Sequence, residues 1–163
     1  MSELSVGILT RSGSPTVAES ALSNTLGLPL IDSEELAPGN PEFYLCYAET
    51  GLSLNVNDAR TSGAVVVDFD SKKLTRRAGD RLRQQNLIKA VGLKKRQTLR
   101  VLDATAGLGS DGFLLARAGC EVRLLERNTV VHALLEDGMQ RALKGSRSPA
   151  TRDAVSRMQL TRA

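Results

Sequence analysis

The feature that most constrains the fold of this chain is a pattern of strand, glycine loop, helix and strand over residues 99–128. A short apolar run ends at Asp103, and residues 104–109 form a loop of small side chains. Helical spacing follows over 110–118, and a second short strand ends at Glu126. Two parallel strands joined by a helix form a βαβ unit, so the sequence predicts an α/β fold.

A unit of this kind suits a ligand that contains a nucleoside. Glycines let the backbone approach the ligand, the helix N-terminus offers free N–H groups, and an acid after the second strand can accept hydrogen bonds from ribose hydroxyls. Gly107, Gly109 and Gly112 match the dinucleotide pattern G-x-G-x-x-G, and Glu126 follows at about the expected ~20-residue spacing. An NAD(P) site in an oxidoreductase fragment is therefore one interpretation.

Asp103 favours a different cofactor, S-adenosylmethionine (SAM). A carboxylate at the end of the first strand would repel the pyrophosphate of a dinucleotide, which lies close to that point. SAM is cationic and has an amino group that a carboxylate can bind. We therefore expect SAM, with NAD(P) and a glycine loop that binds no ligand as the alternatives.

Three segments carry a family resemblance: VLDATAGLG at 101–109, AGCEVRLLERN at 118–128 and LLEDGM at 134–139. They closely resemble the ribosomal small subunit methyltransferase J family, whose SAM-dependent members methylate N2 of a guanine in small-subunit (16S) ribosomal RNA. The resemblance implies a class I SAM-dependent methyltransferase (Rossmann-like) fold. It also implies this activity and this cofactor for the chain.

The resemblance assigns cofactor contacts around the glycine loop. Ser110 and Asp111 stand where the family has an Arg-Asp pair that contacts SAM, and Ser110 departs from that arginine. Glu126 and Arg127 match the family's Glu-Arg pair. The predicted cofactor-binding residues are Asp103, Ala104, Gly107, Gly109, Ser110, Asp111, Glu126 and Arg127.

Positive charge is concentrated in residues 71–100, which hold eleven of the 22 basic residues and a single acid, Asp80. An RNA-phosphate contact is one interpretation, and a solvated helix face with a basic loop is the other. The resemblance favours RNA, because Arg76, Arg77 and Arg83 match basic positions of the family. The implied partner is 16S ribosomal RNA or the small ribosomal subunit. A noncatalytic RNA-binding remnant is a further alternative.

The chain is expected to end before its fold is complete. Residues 82–91 predict a helix, and residues 155–160 predict the start of a third core strand. The chain then ends at Ala163, before the Asp-Pro-Met-Phe-Pro motif with which the family holds the guanine amino group. We therefore expect a truncated or frameshifted gene product that does not catalyse the reaction unaided, and we assign no residue as catalytic.

The sequence predicts three parts and excludes some other classes of protein. No apolar run approaches the ~18 residues of a membrane span, and we find no signal peptide, so a cytoplasmic protein is expected. With two cysteines, Cys46 and Cys120, and one histidine, we expect reduced thiols and no metal site. The expected parts are 1–70, an α+β region with a small antiparallel sheet from strands at 43–47, 52–56 and 65–69; 71–97, a basic helical connection; and 98–163, the N-terminal half of a methyltransferase domain.

Overall fold

The structure is a computed structural model, and the chain divides into two compact units, Met1–Val66 and Val67–Ala163. The sequence-based boundary followed residue 70, so residues 67–70 group with the second unit instead. The residues that the structure describes are 5–10, 13–38, 40–58, 63–79, 81–93 and 98–162.

The first unit is a five-stranded sheet with one helix among its described residues. The sheet order is β2-β1-β3-β4-β5. Strand β1 pairs in parallel with both neighbours, and β3, β4 and β5 pair in antiparallel fashion. The expected antiparallel sheet is thus part of a larger, mixed sheet. The elements are β1 (Val6–Thr10), α1 (Val17–Leu26), β2 (Leu30–Asp32), β3 (Phe43–Ala48), β4 (Gly51–Val56) and β5 (Ala64–Val66).

Local signals explain the helix of this unit. At the start of α1, the Thr16 hydroxyl accepts a hydrogen bond from the Glu19 N–H, and the Glu19 carboxylate accepts one from the Thr16 N–H. This capping box satisfies two otherwise unpaired donors. Gly27 ends the helix in the left-handed conformation.

The second unit is a three-stranded parallel sheet, ordered β6-β7-β8, with helices in the connections. This arrangement confirms the predicted α/β unit. Its elements are α2 (Lys72–Arg77), a 3₁₀ turn (Leu82–Gln84), α3 (Asn86–Ala90), β6 (Arg100–Asp103), α4 (Ser110–Arg117), β7 (Glu121–Glu126), α5 (Thr129–Gly145), α6 (Pro149–Ser156) and β8 (Met158–Arg162).

Three sequence-based elements differ from the structure. The third N-terminal strand ends at Val66, because Val67 and Phe69 are buried in the second unit. The helix expected over 82–91 is interrupted at Gln85, whose backbone is extended. Residues 155 and 156 form the last turn of α6 rather than a strand, and β8 begins at Met158.

The packing of the sheet explains why the two acids lie at one end of it. Leu114 of α4 and Leu124 of β7 are fully buried, as is Val155 of α6, so helices cover one face of the sheet. The parallel register aligns Asp103 with Leu124. The carboxyl ends of β6 and β7 therefore lie side by side, the usual ligand position in an open α/β sheet.

Candidate cofactor site

The two acids expected to bind the cofactor stand at the carboxyl ends of adjacent strands. Glu126 uses both carboxylate oxygens: Oε2 accepts a hydrogen bond from the Gly107 N–H at 2.9 Å, and Oε1 accepts one from the Asn128 N–H at 2.7 Å. The Asp103 carboxylate accepts a hydrogen bond from the Thr105 N–H at 3.2 Å. Each acid thus fixes part of the backbone that surrounds the glycine loop.

The glycine loop, residues 104–109, is held close to both strand ends. The Ala106 N–H donates to the Leu125 carbonyl at 3.0 Å, which adds a backbone link to β7. Gly109 has a φ of 73°, and a Cβ there would lie 2.6 Å from Leu135 Cδ1. Its position therefore requires glycine for two reasons, the backbone conformation and the approach of α5.

The first turn of α4 lies immediately after the loop. Gly109 is the N-cap residue and has no side chain, so the first N–H groups of α4 receive no side-chain cap. Ser110 and Asp111 are exposed at this turn. Gly112 packs against β7, where a Cβ would lie 2.5 Å from Leu124 Cδ2. The helix N-terminus is thus presented beside the loop.

The structure brings most of the expected cofactor residues together. Asp103, Glu126 and the loop share direct hydrogen bonds, while Ser110 and Asp111 follow in the adjoining helical turn. Ala104 is exposed within the loop. Arg127 is exposed at the start of the connection to α5, and within the described residues it forms no ion pair with the other expected residues.

Sequence reasoning missed an apolar support beneath the loop. Phe69 is 2% exposed, and its Cζ lies 3.5 Å from the position of a Cβ on Gly109. Its ring also packs on Phe113 of α4, with centroids 5.1 Å apart. Arg141 of α5 donates to the Val67 carbonyl and so holds the same segment. The spacing along the chain gives no signal for these contacts.

The basic residues expected to contact RNA occupy two different environments. Arg76 and Arg77 are exposed on α2, and Arg77 forms an ion pair with Asp111, with 3.3 Å between Nη2 and Oδ1. Arg83 instead donates a hydrogen bond to the Ala118 carbonyl at 3.3 Å. This contact holds the 3₁₀ turn that contains Arg83 against the end of α4. The basic run at 94–96 lies outside the described residues.

The two cysteines are buried and form no disulfide with each other. Burial raises the pKa of the Cys120 thiol, and the nearby Arg83 guanidinium opposes that shift. Within the described residues, no group of three or more His, Cys, Asp or Glu side chains could hold a metal ion. No helix in the described part of the chain is long and apolar enough to span a membrane.

A family model of SAM-dependent methyltransferases matches residues 30–163, which is most of the chain. The chain belongs to this family. The match decides between the two cofactors that the glycine loop alone left open, in favour of SAM. It also agrees with the parallel sheet and with the acid at the end of β6.

Individual relatives agree with this assignment. Ribosomal RNA small subunit methyltransferase J of Alkalilimnicola ehrlichii is 37% identical over 90% of this chain and 54% of that protein. The enzyme of the same name from Thioalkalivibrio sulfidiphilus is 43% identical over 86% of this chain and 52% of that protein. The predicted resemblance is therefore confirmed, and the chain spans about half the length of these relatives.

A solved structure shows the same fold. The crystal structure of a SAM-dependent methyltransferase from Neisseria gonorrhoeae superposes with a TM-score of 0.70 at 29% identity. The superposition covers 98% of this chain and 60% of that one. The class I methyltransferase fold that the resemblance implied is therefore confirmed.

Proposed function

We propose that the loop between β6 and α4 binds SAM for the methylation of small-subunit ribosomal RNA at N2 of a guanine, a reaction that in the family also uses the Asp-Pro-Met-Phe-Pro motif. The observation that carries the proposal is the pairing of Asp103 and Glu126 at adjacent strand ends around a glycine loop, in a member of the SAM-dependent methyltransferase family. The names of the relatives support the ribosomal RNA substrate.

Each acid has a separate task in this proposal. Glu126 accepts one backbone hydrogen bond at each oxygen, which leaves further lone pairs for ribose hydroxyls. Asp103 is a carboxylate at the mouth of the loop and would bind the amino group of the cofactor. SAM supplies a methyl group on a sulfonium, and the residues of the chain hold and orient it.

The basic face of α2 would bind the RNA backbone. Lys72, Lys73, Arg76 and Arg77 are exposed, while Leu74 and Ala78 are buried on the opposite side. Lys72 and Arg76 are four residues apart, as are Lys73 and Arg77, so the four cations lie on one face of the helix. Phosphate contacts of this kind position RNA without reading its sequence.

Isothermal titration of SAM tests the cofactor site, and transfer of a labelled methyl group from SAM to small ribosomal subunits that lack the modification tests whether the chain completes the reaction unaided. Digestion of any labelled RNA to nucleosides would locate the label, and we expect it in N2-methylguanosine. Label in another nucleoside would overturn the proposed N2 specificity. Binding of RNA without binding of SAM would instead favour the noncatalytic RNA-binding alternative.

A further inference from the structure

We propose that Arg77 links RNA binding to cofactor binding, because its ion-pair partner Asp111 lies in the first turn after the glycine loop. The inference rests on the proposed function and adds a regulatory property to it. When the cofactor binds beside Asp111, Arg77 is released to an RNA phosphate. SAM and RNA therefore strengthen each other's binding.

The ion pair between Arg77 and Asp111 is weak enough for Arg77 to exchange its carboxylate partner for a phosphate. A single contact of 3.3 Å joins Arg77 Nη2 to Asp111 Oδ1, and the two side chains are 40% and 59% exposed. An exposed pair with one contact contributes little to stability. A phosphate group can replace the carboxylate, because a guanidinium binds both kinds of anion with the same donors.

Other contacts hold α2 in place without the Arg77 side chain. The Arg117 guanidinium of α4 donates to the Ala78 carbonyl at 3.4 Å. The Gln85 amide donates to the Arg77 carbonyl, which leaves the Arg77 guanidinium out of that contact. Arg83 donates to the Ala118 carbonyl at 3.3 Å. The Arg77 side chain can therefore leave Asp111 while the helix stays where it is.

Charge gives the direction of the link. SAM carries a positive sulfonium, so the cation of Arg77 beside the cofactor site opposes its binding and also occupies the carboxylate of Asp111. An RNA phosphate that attracts Arg77 removes both effects. Since an exposed pair contributes about 0.2–1 kcal/mol, RNA should tighten SAM binding roughly 1.4- to 5-fold. Linkage requires SAM to tighten RNA binding by the same factor.

The test measures SAM affinity by isothermal titration with and without an RNA hairpin whose loop contains only uridine. This hairpin offers phosphates but no unpaired guanine. We expect the hairpin to tighten SAM binding to the full chain at low salt. In Arg77→Gln we expect SAM binding without RNA to be tighter than in the original chain, and RNA to have no further effect.

The matched control is Arg76→Gln, which removes the same charge from the same helix. Among the described residues Arg76 forms no ion pair, so this variant should weaken RNA binding and keep the ratio of SAM affinities. Weaker SAM binding in Arg77→Gln would overturn the inference, since Arg77 would then support Asp111 rather than compete for it. A persistent RNA effect in Arg77→Gln, or no RNA binding by the original chain, would also overturn it.

The outcomes separate this inference from the proposed function. If the original chain binds SAM and the hairpin changes nothing, the link is wrong and the cofactor site stands. If the original chain does not bind SAM at all, the proposed function is wrong, and the link that rests on it is wrong as well. Asp111→Asn provides a second variant, in which the RNA effect should also disappear.

Discussion

The substitution Gly109→Ala tests the packing of the glycine loop most sharply. Gly109 has a φ of 73°, and a left-handed conformation costs a residue with a Cβ roughly 1–2 kcal/mol. The new Cβ would lie 2.6 Å from Cδ1 of the fully buried Leu135, and overpacking of this kind costs roughly 1–3 kcal/mol. The reduced freedom of the unfolded chain returns about 0.4–1 kcal/mol. We expect a net loss of about 3 kcal/mol.

Gly107→Ala is the matched control. Its φ of 52° carries the same kind of backbone cost, but nothing lies within 4 Å of the added Cβ. We therefore expect a loss of only about 1 kcal/mol, so that the difference between the two variants isolates the contact with Leu135.

The assay is urea-induced unfolding followed by circular dichroism. Amide hydrogen exchange in β6 and β7 reports on the second unit alone. Equal losses of stability in the two variants would refute the claim that α5 closes against the loop at Gly109. A second check is Leu135→Ala, which should cost less in the Gly109→Ala background than by itself.

Three further perturbations probe the same region. Glu126→Gln should lower the free energy of unfolding by about 1–3 kcal/mol, because the amide nitrogen cannot accept one of the two N–H groups that the carboxylate binds; unchanged urea stability would contradict this role. Asn128→Ala should cost about 1 kcal/mol, since the side chain caps α5 by accepting from two N–H groups, and an unchanged unfolding midpoint would show that the cap is dispensable. Burial raises the pKa of Cys120 above its ordinary value of 9.0, so its contribution to stability is complete below that pH and falls as pH rises toward the higher native pKa. Urea unfolding of Cys120→Ser should lack this alkaline component, and an identical pH dependence in both proteins would contradict the assignment.

The cofactor loop was predictable because its signals are local. Asp103, the small residues after it and Glu126 follow one another within a single βαβ unit, and the bounds of α4 and β7 nearly match the expected ones. The order of residues along the chain places both acids at the carboxyl ends of their strands. This part of the fold therefore follows from the order of residues.

The contacts that support the loop could not be predicted, because they join distant parts of the chain. Phe69 reads as part of a strand in the sequence, and only its burial against Phe113 shows that it belongs to the second unit. Arg77 and Asp111 were expected to bind different ligands, and their ion pair depends on how α2 packs against α4. Residues 155 and 156 were expected to begin a strand, although Ser148 and Pro149 form the capped start of a helix that includes them.

The most direct test of the central claim is isothermal titration of SAM and of NAD into the full chain and into Asp103→Asn. Asparagine keeps an oxygen that can accept from the Thr105 N–H, so the loop should retain its shape while the charge is lost. We expect the original chain to bind SAM and not NAD. Loss of a charge-assisted hydrogen bond should weaken SAM binding in Asp103→Asn by roughly 10- to 100-fold. Equal affinity of the two proteins for SAM, or tighter binding of NAD than of SAM, would contradict the account.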